Sequence, residues 1–149
     1  MIVNGWRLYL SPKFDQQLQL LEDQVEAFAA KDPIGCNERP VVKLLAAIHR
    51  LIYIVIPRNP NAAEFRQGNT LGVKNRQWFR AKFHQRYRLF FRFSTTEKVI
   101  VYTWMNDERS LRKAGAKTDP YRVFREMLEA GDPPPTMEEL LTRAHELKD

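Results

Sequence analysis

The sequence holds a single cysteine, Cys36, in 149 residues. One thiol closes no internal disulfide, which points to a reducing, cytoplasmic setting. Beside Gly35 in a polar loop, it reads as incidental rather than as a nucleophile. No apolar run reaches the roughly 18 residues of a membrane span. The opening MIVNGWRLYL has no signal-peptide core, so no membrane partner is expected. There is no CxxC pair, no HExxH, no carboxylate cluster at metal-ligand spacing, no GxxxxGK[ST] and no GxGxxG. Neither a metal nor a cofactor is expected. Histidine is scarce too: His49 and His145 read as structural or solvated, which leaves His84.

Acids are missing from one stretch in particular. Residues 58–93 carry nine Lys/Arg against one acid, Glu64, whereas residues 1–57 balance six against six and residues 94–149 set nine against eleven. The whole net charge of +6 therefore resides in the central segment. A field concentrated in this way suits a polyanionic partner, most commonly nucleic acid.

Within that segment lies WFRAKFHQRYRLFFRF, residues 78–93. Phe79, Ala81 and Phe83 alternate with Arg80, Lys82 and His84; Tyr87, Leu89, Phe91 and Phe93 alternate with Arg86, Arg88 and Arg92. This period of two predicts paired strands, each with an oily and a cationic side. A three-residue loop at His84-Gln85-Arg86 pairs Phe83 with Tyr87, Ala81 with Leu89 and Phe79 with Phe91, and sets Lys82 beside Arg88. A two-residue loop mixes the faces, so burial selects the first register. Helices are expected to cover the oily face and leave the cationic face open.

The rest of the chain predicts an α+β domain spanning 1–149. A small antiparallel sheet is expected from strands at about 2–10, 78–83, 87–93 and 98–106, the last apolar on both faces and hence central. Two amphipathic helices precede the hairpin. One runs over 12–30 behind Ser11-Pro12; the other runs from Pro40 and stops before Pro57. Residues 57–77 form a long aperiodic loop, of the kind that is usually functional or mobile. A helical extension occupies about 119–148. It has a helix starting at Asp119-Pro120, three prolines, and a last helix through Leu147 behind the Thr136/Glu139 capping box.

VNGW near the start, KLLAAIHRLI, FRQGNTLG, RYRLFFRFS and VIVYTWMNDE with LRKAGAKTDPYRVF closely resemble the YhaV toxins, in the RelE-like branch of the RelE/ParE superfamily. The resemblance runs from Val3 to about Pro135. It implies a metal-independent endoribonuclease that cleaves mRNA, commonly on the ribosome, and arrests growth. It also implies a cognate antitoxin similar to the swapped-hairpin AbrB-like proteins, with operator DNA contacted only through the toxin–antitoxin complex. Laid on the family pattern, Arg80 and Lys82 take the two basic positions before the hairpin and Arg88 the arginine after it. Arg109 falls where a basic acid catalyst stands, with Arg112 close enough to compete. Lys74, Arg76, Arg86, Arg92 and Trp78 join Arg112 as RNA-binding candidates. Where many RelE-like nucleases have a tyrosine, this chain has Lys113-Ala114-Gly115, so Trp78, Tyr102 or Trp104 stand as substitutes for stacking a base.

RNA cleavage of this kind needs a base for the 2′-hydroxyl, cations for the anionic phosphorane and a proton for the 5′-oxygen. Arg88 suits the second need, because a guanidinium fork grips two phosphate oxygens; Arg80 can hold the flanking phosphate. Lys82 is a base candidate because neighbouring cations disfavour its charged form, or else a second clamp. His84 is its rival, since imidazole titrates near neutral pH unaided. Asp107-Glu108 can pair with Arg109 or Arg112 and position them. Two other readings of the same features are a non-catalytic ParE-like toxin that binds gyrase and a nucleic-acid-binding regulator.

Overall fold

The computed structural model describes all 149 residues. The expected first strand folds back on itself at Asn4-Gly5, whose φ angles are 50° and 83°. It becomes a hairpin of β1 (Ile2–Val3) and β2 (Trp6–Leu10), with Val3 opposite Trp6. Two consecutive left-handed residues are what a tight hairpin loop demands, and Asn-Gly tolerates them best.

The sheet runs β1–β2–β5–β4–β3, with β3 (Phe79–Phe83) and β5 (Val99–Met105) each antiparallel to β4 (Tyr87–Ser94) between them. β2 lies parallel to β5, so the sheet is mixed rather than purely antiparallel. A parallel pair needs a long crossover, and both N-terminal helices lie between these strands in the chain. The last helix also ends earlier than its periodicity suggests. It stops at Arg143, and His145–Glu146 form β6 against Tyr9 and Leu10 of β2. The β2 edge beyond β1 would otherwise stay unpaired, and the Met1 ammonium holds the strap by donating to the Leu147 carbonyl.

Helix α1 (Pro12–Lys31) lays Phe14 and Leu18 on the sheet. Helix α2 (Pro40–Arg58) is apolar and long enough to cross a bilayer by composition alone, but its stripe of Leu45, Ile48, Ile52 and Ile56 is buried in the domain core. It runs through Pro57 instead of stopping before it, and the reason is local. Residues Leu51–Val55 widen into a π turn, in which the Ile56 N–H bonds the Leu51 carbonyl five residues back. The next carbonyl, that of Ile52, would face Pro57, which has no N–H. The hydroxyl of Tyr102 on β5 donates to it instead, at 2.7 Å. Asn4 Nδ2 in turn donates to the carbonyls of Pro57 and Arg58 at the helix end.

Both faces of the sheet are covered, which corrects the expectation of an open cationic side. Ala81, Phe83, Leu89, Phe91, Ile100 and Tyr102 share a core with α1 and α2. On the opposite side Trp78, Phe90, Val101 and Trp104 pack with α3 (Pro120–Glu129) and α4 (Met137–Arg143) through Tyr121, Phe124 and Leu140. Phe90 stacks on Phe124 with ring centroids 4.3 Å apart. At the hairpin end of that face Lys82 stays exposed, while Arg80 and Arg88 are buried against Tyr121. The long loop is packed as well. Gln67 accepts from Leu71 N and Thr70 Oγ1 and donates to Asn75 O, seating Leu71 in the second core.

Candidate active site

The hairpin adopts the expected register: Lys82 faces Arg88, Arg80 faces Phe90 and Phe83 faces Tyr87. Arg80, Lys82 and Arg88 therefore share one face. Lys82 is exposed, whereas Arg80 and Arg88 are only 8% and 7% exposed. What covers them is Tyr121, from the first turn of α3. Its hydroxyl oxygen accepts from Arg80 Nε at 2.8 Å and from Arg88 Nε at 3.1 Å. The two Nε atoms thus lie within 5.9 Å of each other, the two bonds laid end to end.

The rest of each guanidinium shows what the site lacks. Arg80 Nη1 donates to the Glu64 carbonyl, and Arg88 Nη1 donates to those of Gln85 and Tyr87. Each Nη2 has no protein acceptor. No buried side-chain nitrogen in the protein goes without one, so both Nη2 groups reach solvent. Neither arginine, nor Lys82, joins any ion pair. Burying a cation without a counter-charge is costly. Two such cations side by side, each with an Nη2 that reaches solvent, are chemically suited to an anion with paired oxygens.

The surrounding chain holds these arginines in place. Asp119 is the N-cap of α3 and accepts from Tyr121 N; its Oδ1 also accepts from Lys113 N at 2.8 Å and from Arg112 Nη1 at 2.6 Å. Arg112 is thereby held over the Tyr121 ring, Cζ 4.7 Å from the centroid. Arg86 Nε donates to the Arg112 carbonyl. Asn106, fully buried, accepts from Arg88 N and donates to the Arg86 and Ser110 carbonyls. These bonds tie the hairpin to the segment after β5.

Of the sequence candidates, the structure brings together Arg80, Lys82, Arg88, Arg86 and Arg112. It separates others. The strand ends at Phe83, and His84 turns away with φ 44°. It lines a groove of about 830 Å3 with α1 and α2 residues, and Arg109 lines the same groove. Trp78 is 1% exposed and meets Phe124 edge-on, so no base can reach it. Tyr102 is fully buried, and Trp104 stacks on both Phe90 and Phe124. Arg92 lies over the Trp78 indole and donates to the Pro135 carbonyl, and burial lowers its pKa. It ties the C-terminal segment to β4. Lys74 and Arg76 stay exposed on the long loop, with Arg76 held by Asn69. Tyr121 and Asn106 escaped the sequence reading. The one signal for Tyr121 was its place directly after Asp119-Pro120, which fixes it in a first helical turn beside the cap.

A mixed sheet layered with helices on both faces, with two buried arginines unpaired by any acid at its hairpin end, defines a small α+β protein. Residues 8–145 match the family described as a toxin with endonuclease activity, of a toxin–antitoxin system, and the chain belongs to this family, the YhaV toxins. The ribonuclease toxin YhaV of Escherichia coli K12 and the toxin YhaV of Escherichia coli O6:H1 are each 47% identical over 146 residues, covering 97% of this chain and 95% of the relative. No solved structure matches the chain. The protein is thus an endonuclease toxin, and an antitoxin is its partner.

Proposed function

We propose that this toxin cuts mRNA on the ribosome, without a metal, by driving a 2′-hydroxyl onto the neighbouring phosphorus. The observation that carries the reading is the pair of buried, acid-free guanidiniums of Arg80 and Arg88, each with one Nη2 donor open to solvent. These donors hold the non-bridging oxygens of the scissile phosphate and stabilise the charge that grows as the phosphorane forms. Lys82 is exposed, opposite Arg88 and free of protein partners, and as the neutral amine it takes the 2′-proton. The new O2′–P bond forms as the P–O5′ bond breaks, leaving a 2′,3′-cyclic phosphate and a 5′-hydroxyl. The Tyr121 hydroxyl accepts two N–H bonds and keeps its own proton for a third partner, so it donates to the departing 5′-oxygen. Arg112, beside Tyr121, is paired with Asp119 and steadies the ring; Arg109 is on the other groove.

The relative named a ribonuclease toxin supports RNA as the substrate. The resemblance to RelE-like toxins supports the ribosome as the setting and an AbrB-like swapped-hairpin antitoxin as the inhibitor. An acidic or helical antitoxin arm near Arg80, Lys82 and Arg88 supplies the missing counter-charge in the inactive complex, and operator DNA is met only through that complex. Primer extension on mRNA incubated with pure protein, with and without ribosomes, tests this reading. Discrete cuts that ribosomes enhance support it. Intact transcripts accompanied by DNA damage after induction replace it with ParE-like action.

A further inference from the structure

None of the nine cations from Arg58 to Arg92 joins an ion pair, whereas Arg7, Arg112, Arg122 and Arg125 elsewhere each meet an acid. Among the nine, Arg76 on the long loop has no part in the chemistry above. Its side chain is exposed, yet it is held: Nε at 3.0 Å and Nη2 at 2.8 Å both donate to the side-chain oxygen of Asn69. An aspartate there would hold the guanidinium more strongly and cancel its charge. The asparagine fixes the position and leaves the charge, with Nη1 unengaged. Ordering a long exposed side chain costs entropy, and a cation both fixed and uncompensated is arranged as an anion site.

The loop beneath this pair is braced. Gln67 Nε2 donates to the Asn75 carbonyl at 2.9 Å, and Asn75 Nδ2 donates to the Leu71 carbonyl at 2.9 Å. The Gly72 N–H bonds the Asn69 carbonyl. Leu71 and Trp78 sit in the same core cluster as Tyr121, the residue that holds Arg80 and Arg88. The loop also supplies the Glu64 carbonyl bonded by Arg80 Nη1. Thr70, next to Asn69 in the chain, lines a cleft of about 500 Å3 that Tyr121 also lines. From Arg76 the chain runs into β3, and Arg80 lies within a reach of about 14 Å. Asn69 and Arg76 are thus fixed relative to the buried arginines.

We propose that Asn69 and Arg76 form a second phosphate site, which takes one backbone phosphate of the substrate RNA on the flank of the cut. Arg76 is the donor and Asn69 its positioning residue. The inference deepens the RNA-cleavage reading and rests on it. A flanking phosphate is the same before and during the reaction, so the site adds uniform binding: it lowers KM and leaves kcat alone.

The test places a single uncharged methylphosphonate at each linkage in turn of a 2′-O-methyl RNA oligonucleotide, which binds without being cut. Affinity is measured for each. Wild type is expected to lose about tenfold at one linkage besides the scissile one. Arg76→Ala is expected to lose that amount on the unmodified strand and to show no further loss at that linkage. Its salt slope of binding falls by about 0.7, the value of one phosphate on a single strand. Asn69→Asp keeps the hold and cancels the charge. It is expected to behave likewise, with KM for cleavage up about tenfold and kcat within about twofold; a merely structural brace would tolerate it. Wild-type affinity and an unchanged methylphosphonate profile in either variant overturn the site and leave the nuclease standing, as does a defect confined to cutting on ribosomes. A wild-type protein that neither binds nor cuts RNA overturns the nuclease reading, and the site with it.

Discussion

Arg80 and Arg88, on neighbouring strands, donate their Nε protons to a single oxygen, the hydroxyl of Tyr121. Tyr121→Phe removes that oxygen and keeps the ring under Arg112. Both Nε groups then lose their acceptor, at a cost of about 1–3 kcal/mol in stability for each buried group left unsatisfied. The phosphate anchors lose their common fixing point, so kcat is expected to fall about tenfold or more. Single-turnover cleavage with a parallel urea melt checks this; a variant that melts earlier yet cuts at the wild-type rate removes the oxygen from the mechanism.

Lys82 and Arg88 face each other, yet their loss has different signatures. Lys82 is exposed and bonds nothing, so Lys82→Ala is expected to leave stability within about 0.5 kcal/mol while cleavage drops by about 100- to 10,000-fold. Arg88 holds the hairpin through the carbonyls of Gln85 and Tyr87. Arg88→Ala is expected to lose about 100- to 1,000-fold in rate and also to melt earlier. Growth rescue on induction reads the first effect and a thermal melt of the purified protein the second.

Arg109 and His84 line the groove beside α1 and α2 and not the face of Arg80 and Arg88. Arg109→Ala and His84→Ala are therefore expected to remain toxic, with cleavage rates within about threefold of wild type. Loss of toxicity in either variant, with normal folding, would show that the groove belongs to the catalytic site.

The hairpin was legible because a period of two and a buried face leave one register, and the structure has that register. Helix starts at Asp119-Pro120 and Thr136 were legible from their caps, which act within a single turn, and the start at Ser11-Pro12 from its proline, since the Ser11 hydroxyl donates to the Thr103 carbonyl instead of capping. The covering of the second sheet face was not. Phe90, Val101 and Trp104 carry the signal on the supposedly cationic side, but their partners Phe124 and Leu140 are distant in sequence and read as generic helix stripes. The parallel pairing of β2 with β5 and the strap of β6 likewise depend on long-range edges that leave no local pattern. Tyr121 was missed for the same reason, since its spacing to Phe124 marks a core residue and hides the hydroxyl at its tip.

Burial pushes the Tyr102 phenol well above its usual range, with Tyr53 adding to the shift. The folded state thus holds this proton more tightly than the unfolded chain does. The contribution is fully present below the ordinary tyrosine value of about 10 and is lost as pH climbs beyond it, by about 1.4 kcal/mol per pH unit for one proton. Tyr102→Phe has no proton to lose. At neutral pH it is expected to be less stable by about 1–3 kcal/mol, because the Ile52 carbonyl beside Pro57 loses its donor. Above pH 10 the wild type should fall toward the variant. Residual alkaline loss in the variant is expected from Tyr53 and Tyr87, whose values burial also raises. Urea melts at about pH 7 and 9, below the unfolded value, and at about pH 10.5 and 11, above it, read the gap directly. Two curves that coincide at neutral pH would show that the Tyr102 hydroxyl does not hold the π turn of α2, and a gap that stays constant above about pH 10 would show that burial does not raise the phenol.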